Sequence, residues 1–241
     1  MTNDKLLSRR RLITGSITTF ITTALTNRTA NSQVAPAEKP HGAPLLGDIG
    51  DLFTSNEFRK VVINPPQSGR THNLVTPEKL STLTQKSPRT MLGYPSLRGL
   101  WLINANTGDE MTTVFWDDNN YNHEELSKLS WMLRDWRENQ IEPIDPTLYH
   151  LLWAIQHRIE FKQPIYVTSG YRTPTTNNLL RAEGASVNSL HMKGKAVDIV
   201  IKNMEQTEIA RHAHSLGKGG VGFYRRFTHI DTGPPRTWGT S

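Results

Sequence analysis

Two histidines and an aspartate sit where they could share one metal ion. His191 lies in Ser189-Leu190-His191-Met192-Lys193-Gly194-Lys195-Ala196-Val197-Asp198, a loop that Gly194 can turn sharply into a strand carrying Asp198. His229 lies in a later strand, Thr228-His229-Ile230-Asp231-Thr232-Gly233. Two imidazoles and one carboxylate leave one position of a tetrahedral metal open to water. Zinc at such a site brings the pKa of water to about 7 and polarises a carbonyl, so hydrolysis needs no protein nucleophile. A plainer reading stands beside this one. A histidine in a chain with nine is more often a surface or hydrogen-bonded core residue, and Asp198 alone could be a buried strand-start carboxylate. Spacing leaves both readings open, because the third donor comes from far along the chain.

Several elements must position these residues. Arg98–Ile103 and Met111–Trp116 flank Asn106-Thr107-Gly108-Asp109, the pattern of a hairpin. Asn122 with Glu125 makes a capping-box pattern ahead of a stripe of Leu126, Leu129, Leu133 and Trp136. Asp145-Pro146 opens a second helix with Leu148, Leu151, Leu152, Ile155 and Ile159 on one face. A short strand over 165–168 runs into Ser169-Gly170-Tyr171-Arg172, and Thr173-Pro174 starts a helix that Gly184 can end. A strand over 196–201 follows, then a helix capped by Asn203 and Gln206, then strands near 221–224 and 228–231. Helices early and short strands later predict an α+β domain: a small mixed or antiparallel sheet flanked by helices.

Composition narrows the function. The chain has 241 residues, a net charge of +6 and no cysteine. The absence of Cys excludes disulfide scaffolds, Cys-ligated zinc, iron–sulfur clusters and thiol nucleophiles. Residues 1–35 hold Lys5, Arg9, Arg10, Arg11 and Arg28 against Asp4 alone, so most of the positive charge lies there. The rest is nearly balanced and offers no basic face for nucleic acid. Ser8-Arg9-Arg10-Arg11 precedes the uncharged run 13–25, too short to span a bilayer as a helix and patterned as an export signal. This leader over 1–37 resembles a twin-arginine signal, which implies the twin-arginine export machinery as a partner and a bacterial periplasmic destination. Ala35-Pro36-Ala37 fits a cleavage site; uncleaved, the leader would be the only tie to the membrane. Residues 38–93 are rich in Pro, Ser and Thr and read as a mostly irregular spacer with short docked pieces. The domain carrying the chemistry is expected over 94–241.

Further motifs support a resemblance. They are Ser169-Gly170-Tyr171-Arg172, Thr176-Asn177-Asn178, Ser189-x-His191 with Asp198, Gly219-Gly220-Val221-Gly222, and His229-Ile230-Asp231-Thr232-Gly233-Pro234. Together, over about Arg98 to Trp238, they resemble the murein endopeptidase K family of the D-Ala-D-Ala-carboxypeptidase-like zinc peptidases. The likeness implies that fold, Zn2+ as cofactor, and His191, Asp198 and His229 as its ligands. It also implies amide hydrolysis in peptidoglycan stem-peptide cross-links. One departure matters. Many carboxypeptidases of the wider group place a Glu or His just before the last ligand as general base, and here Arg226 and Phe227 stand there. Asp231 is the nearest carboxylate to His229. Its candidate roles are to take a proton, to orient His229, or to cap the Thr232-Gly233 turn. Arg172 could hold a substrate carboxylate or stabilise an oxyanion, or simply pair with a nearby acid. Ser189 could bond substrate or its own loop.

Other functions compete. The missing upstream base motivates a peptidoglycan-binding module that keeps the fold without catalysis. A D,D- or L,D-carboxypeptidase would use the same site on a terminal residue. His229-x-Asp231 imitates part of a non-haem iron triad, but no His follows Asp231 to complete it.

Overall fold

Local sequence signals start and stop most elements of this chain. The computed structural model describes residues 72–73, 75–89 and 95–239. The expected export signal and most of the expected spacer lie outside the described residues. In chain order the strands are β1 (His72–Asn73), β2 (Arg98–Asn104), β3 (Glu110–Asp117), β4 (Asn120–Tyr121), β5 (Ile165–Ser169), β6 (Ala196–Ile201), β7 (Gly220–Phe223), β8 (Thr228–Asp231) and β9 (Arg236–Gly239). The α-helices are α1 (Pro77–Lys86), α2 (His123–Met132), α3 (Pro146–Arg158), α4 (Pro174–Leu179) and α5 (Gln206–His214).

The β2–β3 hairpin forms as its sequence predicts. Asn104 Oδ1 accepts from the backbone N–H groups of Asn106 and Thr107, and Gly108 takes the left-handed backbone the turn requires (φ 76°). The expected small sheet is not what forms. Among the described residues all nine strands join one mixed sheet, ordered β1-β3-β2-β5-β6-β8-β7-β9 with β4 paired to β3. The joint is the parallel pairing of β2 with β5, Leu102 opposite Ile165, which fuses the hairpin to the strands that carry the candidate ligands. Periodicity within a strand says nothing about such a joint, because its partner is set by packing.

Helices cover this sheet through apolar contacts. Thr76 caps α1 by accepting from Lys79 N, and α1 buries Leu80 completely against β2 and β3. That close approach needs Gly99, since a Cβ there would run into Leu80 and the Thr113 carbonyl. Asp145 caps α3, whose Leu148, Leu151, Leu152, Trp153 and Ile155 are all at most 1% exposed. Asn122 caps α2 as expected, but Glu125 does not reach back. Its carboxylate is buried on Thr113 Oγ1 and Lys128 Nζ, and Asn122 N donates to Phe115 O instead. The helix ends at Met132, so Leu133 follows as its cap and Trp136 lies outside it, 37% exposed. α5 begins after Glu205; Asn203 occupies a left-handed turn (φ 60°) and does not cap it. No helix among the described residues is long and apolar enough to cross a membrane.

Candidate metal centre

One row of residues crosses five strands. Ser169 on β5 pairs with Asp198 on β6, Asp198 with His229 on β8, His229 with Gly222 on β7, and Gly222 with Trp238 on β9. Residues directly opposite one another project from the same face of a sheet. The register therefore puts Asp198 and His229 side by side, and β-sheet pairing brings together what the chain separates.

His191 arrives from outside the sheet. It lies in a 3-10 turn, Leu190–Lys193, that begins at Ser189 and closes at Gly194 in left-handed backbone (φ 64°). Its Nδ1 donates to the Gly170 carbonyl at 2.7 Å, an acceptor that can take only a proton donor. Nε2 is therefore the nitrogen with a lone pair facing the row. It stands 3.2 Å from Asp198 Oδ1 and 3.2 Å from His229 Nδ1, while His229 Nδ1 and Asp198 Oδ1 are 2.9 Å apart. Ligands at about 2.0–2.1 Å around a tetrahedral zinc lie about 3.3 Å from each other. Three electron-rich atoms at nearly that spacing fit a divalent cation and would repel one another without a proton or cation among them. Among the described residues His191, Asp198 and His229 are the group able to hold a metal ion.

The remaining atoms of these side chains are fastened. His229 Nε2 donates to Asp231 Oδ2 at 3.0 Å, which turns Nδ1 inward. Asp231 is fully buried and takes four further hydrogen bonds: from Gly220 N, Gly233 N and both terminal nitrogens of Arg236. On the other flank, Asp198 Oδ2 pairs with Arg172 Nη2, and Arg172 Nε donates to Ser169 Oγ at 2.7 Å. Ser189 Oγ accepts from His191 N within its own turn.

The electrostatics follow from burial against pairing. Burial holds His191 below the ordinary imidazole range despite Asp198. Burial also disfavours a charged His229, but hydrogen bonds to Asp198 and Asp231 outweigh it and raise its basicity. Both aspartates resist protonation although burial acts the other way: Asp198 through His191 and His229, Asp231 through His229, Arg236 and two backbone N–H groups.

The sequence-predicted residues all fall within this assembly. His191, Asp198 and His229 converge on one point, Arg172 pairs with Asp198, Asp231 supports His229 and caps the Gly233 turn, and Ser189 bonds its own loop. Sequence reasoning missed β9. Its Arg236 grips Asp231, and its Trp238 packs against the His229 ring at 5.2 Å between centroids. The glycines of β7 are the signal that could have found it. A Cβ on Gly220 would strike Asp231 and Arg236, and one on Gly222 would strike the Trp238 ring. Among the described residues no other histidine joins this group; His150, for instance, is buried between Arg98 and Tyr121.

Comparison with known proteins finds relatives of this chain. The family described as peptidoglycan L,D-endopeptidase MepK, peptidase M15_2, matches residues 94–238. The peptidoglycan L,D-endopeptidase MepK of Escherichia coli K12 is 42% identical over 151 residues, covering 61% of this chain and 83% of that protein. The Shigella flexneri protein of the same name is similar to the same extent. The probable peptidoglycan L,D-endopeptidase MepK of Haemophilus influenzae is 36% identical over 162 residues, covering 65% of this chain and 87% of its own. With a match that includes every residue of the row from Ser169 to Trp238, the chain belongs to the peptidase M15_2 family of MepK-type peptidoglycan L,D-endopeptidases.

Proposed function

We propose that the protein is a zinc-dependent murein endopeptidase that hydrolyses an L,D amide in peptidoglycan stem-peptide cross-links. The observation that carries the reading is the convergence of His191 Nε2, Asp198 Oδ1 and His229 Nδ1 at tetrahedral spacing in a chain of this family. Zinc held by these three atoms would activate a water molecule and polarise the scissile carbonyl. The protein's own residues do the rest. Gly170 and Asp231 fix which nitrogen of each histidine faces inward, as outer partners of metal-binding histidines do. Arg172 restrains the second oxygen of Asp198, so that Oδ1 alone points to the centre. Asp231 acts as a positioning residue, because its oxygens are filled by five donors and turned away from the inward nitrogen of His229. The leader resembling a twin-arginine signal would deliver the enzyme folded to the periplasm, where its substrate lies.

Mass spectrometry of defined cross-linked muropeptides after digestion tests this reading. Zinc-loaded protein should split an L,D cross-link into monomers, a chelator should stop it, and His191→Ala should abolish turnover. Intact dimers after long incubation with zinc-loaded protein would leave only the binding-module reading. Release of a single terminal residue would mark a carboxypeptidase.

A further inference from the structure

We propose that Tyr224 is a further catalytic residue, donating its phenolic hydrogen bond to the oxygen of the amide under attack, and that Trp238 aims it. The inference rests on the endopeptidase reading. Tyr224 follows β7 and lies two positions beyond Gly222, so the alternation of a strand returns it to the face that carries Asp198 and His229. The turn that holds it there is closed by Tyr224 N donating to Phe227 O at 3.0 Å.

Trp238 connects this tyrosine to the centre. Its ring packs against His229 on one side, and its Nε1 donates to Tyr224 Oη at 2.7 Å on the other. Gly222 makes the contact possible, since a Cβ there would lie 2.7–2.9 Å from the indole ring atoms. An indole N–H can only donate, so it occupies a lone pair of the phenol and leaves the phenolic proton to be given elsewhere. Among the described residues nothing accepts that proton. Arg172 is already committed to Asp198 and Ser169, and Asp231 to its five donors. The uncommitted donor beside the centre is therefore the phenol. It supplies a hydrogen bond where negative charge develops, in a chain with Arg226 and Phe227 at the positions expected for a base.

The test compares zinc-loaded full-length protein and its Tyr224→Phe variant on an L,D-cross-linked muropeptide dimer. Loss of one oxyanion donor costs about 100- to 1,000-fold in kcat. The expected result is a fall in kcat of at least about 30-fold, with KM and bound zinc within about twofold of the unsubstituted protein. Trp238→Phe keeps an aromatic ring but removes the N–H. It should lose less, and the double variant should be no slower than Tyr224→Phe alone, because the two act as one unit. A fall in kcat smaller than about 30-fold for Tyr224→Phe overturns the inference, as does loss of zinc in parallel with activity. Turnover by the unsubstituted protein separates the two readings. If it cuts the dimer and Tyr224→Phe cuts equally well, this inference alone fails; if it cuts no stem-peptide amide, both fail.

Discussion

At the scale of single residues, the centre depends on which nitrogen of each histidine is left free. His229 Nδ1 is free only because Nε2 is spent on Asp231, and Asp231 is held in turn by Arg236. Asp231→Asn weakens this chain of partners without removing its volume. Zinc affinity should fall about 10- to 100-fold, read by competition with a chromophoric chelator. The sign of the pH effect also follows. The aspartates raise the basicity of His229 above its ordinary value of about 6.5, and the added proton sits on Nδ1, the atom a metal needs. Proton and zinc compete there, so affinity should decline as pH falls, with the decline beginning above about pH 6.5. Zinc titrations of metal-free protein at about pH 8, 7 and 6 check this; an affinity flat across that range would contradict it.

At the scale of elements, the cross-strand row from β5 to β9 sets the precision of the centre. Its weakest member by side chain is Gly222, and that is its use: the gap lets Trp238 lean over β7 to His229. Gly222→Ala should displace the indole and destabilise the fold by about 1–3 kcal/mol, as overpacking does. The denaturation midpoint and the tryptophan fluorescence should shift together. The row was half legible in sequence. The strands over 196–201 and 228–231 could be read from pattern, while spacing left the roles of His191, Asp198 and His229 open and only the family resemblance implied them as ligands. β9 has no such pattern of its own, because Arg236–Gly239 is short, lacks alternating apolar residues and is mostly exposed; only the glycines of β7 hint at it. Its strand character comes from parallel pairing with β7, beyond the turn in which Gly233 N donates to Asp231 Oδ1.

At the scale of the whole molecule, the hairpin and α1 belong to the same sheet and core as the centre. Residues 77–86 fall in a stretch whose composition suggests a spacer, yet Leu80 is fully buried. We propose that the folded unit extends N-terminally to include α1. Leu80→Ala should cost about 2–5 kcal/mol, the range for emptying a buried leucine site, and lower the thermal midpoint. On the proposed function, zinc held by the three converged donors more tightly than by the unfolded chain should raise that midpoint. Sequence alone set the local matters: the caps at Asn122 and Asp145, the turns at Gly108 and Gly194, and the exclusion of cysteine donors. These depend on a few neighbouring residues and their backbone preferences. Tertiary structure alone decided the fusion into one nine-stranded sheet, the inward nitrogen of each histidine, the grip of Arg236 on Asp231 and the bridge of Trp238 to Tyr224. Each of these joins groups distant in sequence, and such contacts form only where burial and hydrogen bonding together outweigh the entropy of bringing the segments together.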